Sequence, residues 1–195
     1  VAITKVVSDT SLPFTGDAMH ASNLNDLTIG ETATYTITVS VPQGTTPALT
    51  VTDVLPSTAV GVMEYVSSRI VSTGAGMTIA TPSPVAVVSD AQLADGIADT
   101  AVFSFGQVLN PVGNGVQEIV IEVVGRVTNV APNANTDVLT NTATVNYGTG
   151  LNGSSNVSID VVEPRLVIAK TGSISTGQAG ETVNYTLNLS HHSAS

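Results

Sequence analysis

Apolar and polar residues alternate one by one through several windows of this chain, and this period of two constrains its fold more than any other feature. Successive side chains of a strand point to opposite faces, so such alternation is typical of a β-strand with one buried face. Val and Thr are abundant, whereas charged residues make up only 10% of the chain, which favours strands over helices. The pattern therefore predicts an all-β protein. The alternating windows are residues 34–39, 102–105, 139–147 and 157–161, and residues 119–124 form a nearly continuous apolar run.

Short clusters of Gly, Pro and Asn separate these windows and predict turns. One short helical turn is predicted at residues 89–93, where the side chain of Ser89 or Asp90 could cap the first amides. The predicted turns cover residues 42–44, 74–76, 111–115, 132–133 and 152–153.

A long segment of the chain recurs close to its end. The sequence GETATYTITVS at residues 30–40 is echoed by GETVNYTLNLS at residues 180–190, and a second echo precedes each copy, Ile3-Thr4-Lys5 and Ile168-Ala169-Lys170. We therefore predict a complete repeat at residues 1–163, followed by the truncated start of a second repeat at residues 164–195. Tandem repeats of strands usually build stalks, since each unit contacts only its neighbours.

The charge and composition of the chain argue against several classes of partner. The net charge is −10 and only five residues are basic, which is unfavourable for binding nucleic acid or an anionic membrane surface. No apolar run approaches the roughly 20 residues of a membrane-spanning helix, and the first residues lack the features of a signal peptide, so we expect the chain to begin inside a longer precursor. There is no Cys, so a covalent staple, if present, cannot be a disulfide.

Three polar residues fall on the apolar faces of predicted strands: Lys5, Asp53 and Asn141. Burying a lone ammonium or carboxylate group costs several kcal/mol, and a lone amide about 1–3 kcal/mol, so we expect the three side chains to meet. In a dry pocket, desolvation lowers the pKa of the lysine and raises that of the acid. The neutral amine of Lys5 can then attack the side-chain carbonyl of Asn141, with protonated Asp53 polarising that carbonyl and ammonia leaving.

Two other interpretations of these residues remain open at the level of sequence. The three side chains could form a buried polar cluster without a covalent bond. They could also act separately, with Lys5 extending to solvent from an edge strand, Asp53 accepting hydrogen bonds in a turn, and Asn141 bonding locally.

Four motifs in this order give the chain a resemblance to a known family. Ile3-Thr4-Lys5, GETATYTI at residues 30–37, VTDVLP at residues 51–56 and TNTATVNY at residues 140–147 resemble the isopeptide-forming fimbrial domain and related surface repeats of large bacterial adhesins. The resemblance covers residues 1 to about 163, and again residues 164–195 in truncated form.

This resemblance implies an immunoglobulin-like β-sandwich, located outside the cell on a bacterial surface or fimbria. In that family the lysine of the first strand is joined to the asparagine of the last core strand, with an aspartate as catalytic helper. These positions correspond to Lys5, Asn141 and Asp53 here. Lys170 is the matching lysine of the second repeat and has no asparagine of its own.

We therefore expect a structural shaft module of a secreted bacterial surface adhesin or fimbria, and not an enzyme. Its expected partners are neighbouring repeats of the same protein or identical subunits in a filament. The alternative is an adhesive module that binds a glycan, a protein or ice through two long loops, residues 8–29 and 72–100. The absence of Trp and the low aromatic content favour the shaft.

No cofactor is predicted, and calcium is the one ion that the sequence leaves open. The histidines His20, His191 and His192 do not have the spacing of metal ligands. Two loops are rich in oxygen ligands that Ca²⁺ prefers, although neither has a known calcium-binding pattern. They contain Asp17, Asn23, Asn25 and Asp26 in the first loop and Asp90, Asp95 and Asp99 in the second.

The truncated second repeat carries a prediction of its own. Two strands with open edges and exposed apolar residues are marginal in water. We expect this part to be completed by further repeats of the same polypeptide or by strands from a neighbouring molecule. The apolar residues concerned are Leu166, Ile168, Leu187 and Leu189.

Overall fold

The structure, a computed structural model, describes residues 1–12, 15, 25–58, 61–134, 136–163 and 166–191. These residues form strands joined by turns and bends, with no helix among them, so the all-β prediction is confirmed. The strands are β1 (Ala2–Thr10), β2 (Asp26–Leu27), β3 (Thr32–Val41), β4 (Gly44–Val54), β5 (Ser57–Thr58), β6 (Gly61–Thr73), β7 (Thr78–Ile79), β8 (Val87–Ser89), β9 (Thr100–Asn110), β10 (Gln117–Val127), β11 (Val138–Gly148), β12 (Leu151–Val161), β13 (Leu166–Gly172) and β14 (Tyr185–His191).

Two sheets make up the immunoglobulin-like sandwich. The first has five strands in the order β1-β3-β10-β6-β5, and the second runs β2-β12-β11-β4-β9-β7, with β8 also paired to β9. Nearly all pairs are antiparallel, and the exception is the short pairing of β2 with β12. The inward residues of the two sheets pack against each other, as expected for a sandwich, in two apolar clusters that both contact the half-buried Tyr65.

The alternating pattern of the sequence places the core side chains. In β3, Tyr35, Ile37 and Val39 are fully buried, whereas the Thr residues between them are only half-buried. The same parity buries Val51, Leu55, Leu139, Ala143 and Val145, as the sequence predicts, and it leaves Thr140, Thr142 and Thr144 exposed or half-buried.

Val1 and Ile3 share the parity of the buried Lys5 and are also predicted to be buried, but both are only half-buried. They lie at or next to β1, which is an edge strand of the first sheet. An edge strand has a neighbour on one side only, so its side chains are covered less completely.

The two ends of the sandwich are set by the registers of its strands. Ala2 lies opposite Ser40, and β10 starts opposite the end of β3, so the connections at residues 42–43, 111–116 and 149–150 share one end with Val1. β12 runs away from this end and finishes at Val161, opposite Leu27. The chain therefore enters the sandwich at one end and leaves it at the other.

The turn predicted at residues 152–153 is wrong. Asn152 and Gly153 lie inside β12, opposite Asn146 and Val145 of β11. The turn is at residues 149–150 instead, where Gly150 adopts a φ of +72°, a left-handed conformation that favours glycine.

The helical turn predicted at residues 89–93 is also wrong. Ser89 ends β8, and the residues after it form an irregular loop. The fully buried Asp99 accepts hydrogen bonds from the amides of Ala91 at 3.0 Å and Gln92 at 3.1 Å. A carboxylate from further along the chain thus satisfies the amides that Ser89 or Asp90 was expected to cap.

The last two strands, β13 and β14, form a separate hairpin-like pair. Their register repeats that of β1 and β3, because Lys170 lies opposite Leu187 just as Lys5 lies opposite Ile37. Every residue of β13 is exposed, including the apolar Leu166 and Ile168. The repeat detected in the sequence therefore has the same strand pairing in both copies, while the boundary between the repeats stays a prediction.

Candidate functional site

Lys5 reaches across the sandwich from the first sheet to the second. It lies on the edge strand β1, opposite Ile37 of β3, and points into the core, where it is only 4% exposed. Its Nζ forms an ion pair with Oδ1 of Asp53 on β4, and both side chains are fully shielded from solvent. The contact joins the two sheets through a buried ion pair.

Asp53 and Asn141 lie side by side in the second sheet. β4 pairs with β11 so that Asp53 is opposite Ala143, which places Asn141 two residues away on the same face. Asn141 Nδ2 donates a hydrogen bond of 3.3 Å to Asp53 Oδ2. Asp53 thus contacts Lys5 with one oxygen and Asn141 with the other, and the structure brings the three sequence-predicted residues into one buried group.

Burial perturbs the two ionisable members of this group in opposite directions. It lowers the pKa of Lys5 from 10.5 to about 8, although the negative charge of Asp53 opposes the change. It raises the pKa of Asp53 above its usual range, although Lys5 and Asn141 oppose that change. Both shifts disfavour the charged forms and therefore favour transfer of the lysine proton to the carboxylate.

The carbonyl oxygen of Asn141 is the unsatisfied atom of the site. Asn141 is fully buried, and its Oδ1 has no hydrogen-bond partner among the described residues. A buried acceptor without a donor costs about 1–3 kcal/mol. This oxygen is therefore ready to accept a hydrogen bond from any donor that reaches it during a reaction.

An apolar shell surrounds the polar group. Lys5 Nζ lies 4.8 Å from the centre of the Tyr35 ring, and the Tyr35 hydroxyl donates a hydrogen bond of 3.3 Å to Met63 Sδ. Tyr35 and Met63 belong to a buried cluster with Leu55 and Leu139, the residues that lie two positions from Asp53 and Asn141. The shell shields the site from water and keeps its electrostatic interactions strong.

The alternating pattern at residues 34–39 predicts that Tyr35 is buried but does not connect it with Lys5. A signal was present in the repeat, because Lys170 and Tyr185 recur at the corresponding positions. In the second copy, Lys170 Nζ lies 4.1 Å from the centre of the Tyr185 ring. Among the described residues, Asp53 and Asn141 lie together with Lys5, so the group of three is in the first repeat.

The acidic loop at residues 90–99 uses its carboxylates within the protein. Asp90 accepts a hydrogen bond from the amide of Gly96, and Asp95 accepts one from Ile97. Asp99 binds the loop as described above and also accepts a hydrogen bond from its neighbour Thr100. The described residues hold no group of three or more side chains of the metal-ligating type.

Several of the acidic-loop and histidine residues considered as ion ligands fall outside the described part of the chain, so calcium stays open, as the sequence left it. They are Asp17, His20, Asn23 and His192.

The two loops of the alternative binding function differ in what the structure describes. Residues 72–100 are not one loop, since they contain β7 and β8, which both pair with β9 at the edge of the second sheet. Much of residues 8–29 lies outside the described residues. Binding of a glycan, a protein or ice through these segments stays a prediction.

No helix in the described part of the chain has the length and apolar character needed to cross a membrane.

Comparison with known proteins gives matches among solved structures. No protein-family model and no curated protein matches the chain. It is similar to the C-terminal domain of the AgI/II polypeptide BspA from Streptococcus agalactiae, with 15% identity and a TM-score of 0.47 over 81% of this chain and 49% of that chain. It is also similar to the full-length major pilin SpaD from Corynebacterium diphtheriae, with 16% identity and a TM-score of 0.44 over 87% of this chain and 36% of that chain. This chain thus spans half or less of the length of both, and likenesses this distant carry no argument about function, which has to be inferred from the site.

Proposed function

We propose that residues 1–163 form a structural shaft module of a secreted bacterial surface adhesin or fimbria, closed by an internal amide bond between Lys5 and Asn141. The observation that carries the proposal is the buried group in which Asp53 contacts both Lys5 and Asn141. An amine, a carboxyl group and a carboxamide held together in a dry core are the reagents of amide formation.

The chemistry begins with the proton shared by the ion pair. Lys5 passes it to Asp53, which leaves a neutral amine beside a neutral acid. The amine adds to Cγ of Asn141 while protonated Asp53 polarises the carbonyl. Asp53 then takes a proton from the attacking nitrogen as it gives one to Nδ2, the Cγ–Nδ2 bond breaks, and ammonia leaves. One new bond, from Lys5 Nζ to Asn141 Cγ, replaces the bond that is lost.

The position of this bond suits a module under tension. Lys5 lies near the entry of the chain and Asn141 lies on β11, which is followed only by β12 within the first repeat. Because the chain enters and leaves at opposite ends, tension along an array would load β1 and β12. A bond between Lys5 and Asn141 would carry the load past residues 6–140, which would remain folded.

The length of the strands supports an extended shaft. The strands β4, β9, β10, β11 and β12 each have 11 residues. At about 3.3 Å per residue such strands are roughly 36 Å long, so each repeat would add about that length to an array. Tandem repeats joined end to end would extend in one direction.

Single-molecule pulling on the two ends of the whole chain tests this proposal. The wild-type protein should release only the residues outside the bond. The Asn141→Ala variant should release residues 6–140 as well, which adds roughly 480 Å at about 3.6 Å per residue. Asn146→Ala is the matched control, because Asn146 is an exposed asparagine of the same strand and should unfold like the wild type. Equal extensions for wild type and Asn141→Ala would contradict the proposal.

A further inference from the structure

Tyr35 lies against the reacting group and not merely within the core. Its side chain is fully buried on β3, opposite Val7 of β1 and two residues before the partner of Lys5. The ring centre is 4.8 Å from Lys5 Nζ. Tyr35 therefore forms the wall of the site that faces the amine.

The Tyr35 hydroxyl is bonded to a weak acceptor. It donates to Met63 Sδ at 3.3 Å, and a thioether sulfur accepts hydrogen bonds poorly. The side chain of Asn141 lies close enough to this hydroxyl to lower its pKa, although burial and the charge of Asp53 have the larger effect and raise it. The hydroxyl thus stays protonated and is available as a donor.

The atom that needs a donor is Asn141 Oδ1. It is buried and unpaired among the described residues. When an amine adds to the carboxamide, negative charge develops on this oxygen, and a donor aimed at it stabilises the transition state. Asp53 alone would have to supply that donor and also relay protons between the two nitrogens.

We propose that Tyr35 is a further catalytic residue of the Lys5–Asn141 reaction, with its ring holding the amine and its hydroxyl turning from Met63 Sδ to donate to Asn141 Oδ1. This inference rests on the proposed amide bond. The hydroxyl keeps its proton throughout, so the exchange of protons between Lys5, Asp53 and ammonia is unchanged. Once ammonia has left, the hydroxyl can remain on the oxygen of the new amide.

The second repeat supplies an independent observation. Lys170 Nζ lies 4.1 Å from the centre of the Tyr185 ring, and these residues occupy the strand positions of Lys5 and Tyr35. The second pair lies on a hairpin whose described strand residues are exposed. Contact between lysine and tyrosine therefore follows from the strand pairing itself, which would orient the amine before the rest of the site closes.

Replacing Tyr35 with Phe keeps the ring and removes the hydroxyl. The chain is recovered unfolded, diluted into folding buffer, and sampled over time for the loss of ammonia by mass spectrometry. We expect Tyr35→Phe to form the bond at least about tenfold more slowly than the wild type, since removing one such donor elsewhere costs about 100-fold or more. Tyr65→Phe is the matched control, because the Tyr65 hydroxyl pairs with Ser68 and should not affect the rate.

A second comparison separates catalysis from folding. The Asn141→Ala background cannot react, so the effect of Tyr35→Phe on the free energy of unfolding is measured there, and folding after dilution is followed by circular dichroism. Fast folding with slow ammonia loss supports the role of the hydroxyl. Ammonia loss at the wild-type rate in Tyr35→Phe overturns it while leaving the bond intact. A wild-type chain that never loses ammonia overturns the bond itself, and with it this role.

Discussion

Asp53 is the residue on which the proposed reaction depends, because its two oxygens contact the two partners of the proposed bond. Oδ1 binds the Lys5 ammonium group, and Oδ2 accepts a hydrogen bond from Asn141 Nδ2. A carboxylate in this position can receive the proton that must leave the lysine before it can attack. Without Asp53, a buried ammonium group would have no counter-charge.

Asp53→Asn should abolish the bond while preserving the shape of the side chain. An amide cannot take the lysine proton, so Lys5 remains a poor nucleophile. Trypsin reports the outcome, because it cannot cleave after an acylated lysine. Wild-type digests should contain residues 1–69 linked to residues 127–165, whereas Asp53→Asn should release residues 1–5 as a free peptide.

Asp9→Asn is the control for this experiment, since it removes an exposed carboxylate from the same strand as Lys5. Its digest should match that of the wild type. Linked peptides in Asp53→Asn would refute the proposed role of Asp53.

The rate of bond formation should be flat around neutral pH and fall above a pH of about 8. The reactive form has a neutral Lys5 and a protonated Asp53, and it holds as many protons as the ion pair. A change in pH therefore does not alter the ratio of the reactive form to the ion pair. Above the lowered pKa of Lys5, about 8, the pair loses its last proton and Asp53 can no longer polarise the carbonyl. Folding the chain at a series of pH values and following its mass measures this profile. A rate that keeps rising through pH of about 10 would show that lysine deprotonation alone is limiting.

The sequence was sufficient to find Lys5, Asp53 and Asn141, because each lies on the buried parity of its strand. A period of two identifies the face of a side chain from neighbouring residues alone. The contact of Tyr35 with Lys5 follows from the pairing of β1 with β3 and recurs between Lys170 and Tyr185. The approach of Tyr35 to Asn141 was not predictable in this way, because it depends on how the first sheet crosses the second, which no local pattern specifies.

At the scale of elements, the site depends on how closely β6 approaches β11. Gly61, the first residue of β6, packs so tightly on Leu139 that an added Cβ would overlap Leu139 Cδ2. Leu139 lies two residues before Asn141 on the same face. A glycine in this position therefore helps to set where Asn141 lies.

Gly61→Ala should lower the free energy of unfolding by about 1–3 kcal/mol, the usual cost of overfilling a packed core. Chemical denaturation in the Asn141→Ala background measures the change without a covalent bond. Gly153→Ala is the matched control, because its Cβ would lie 3.7 Å from Val145 and 3.8 Å from Ile3, which are ordinary contacts. Equal losses for the two variants would show that the approach of β6 to β11 is not tight.

The two wrong predictions at this scale share a cause. Asn152-Gly153 has the composition of a turn, yet Gly150 takes the left-handed position two residues earlier and starts β12 there. The residues after Ser89 lack a helix because the distant Asp99 binds their amides. The alternation of a strand extends over many residues and was therefore predictable. A turn or a cap depends on a single residue, and another residue can take that position instead.

At the scale of the whole molecule, the hairpin of β13 and β14 leaves apolar side chains uncovered. Its residues Leu187 and Leu189 are exposed, whereas the corresponding Ile37 and Val39 in the first repeat are fully buried. We predict that further polypeptide or a neighbouring molecule covers them, which would make an assembly the functional form.

The repeat, and the opposite ends at which the chain enters and leaves the sandwich, support the proposed account of the molecule, a shaft of units each closed by its own amide bond. The sequence predicted the repeat from the echo at residues 180–190. The entry and exit of the chain at opposite ends of the sandwich were not predictable, since they follow from the number and direction of all strands in both sheets.

The intact mass of the folded wild-type protein tests the central claim most directly. Formation of the Lys5–Asn141 bond removes one ammonia, so the measured mass should fall about 17 Da below the mass of the sequence. The Asn141→Ala variant should have the full mass of its own sequence. A folded wild-type protein at its full sequence mass would contradict the account.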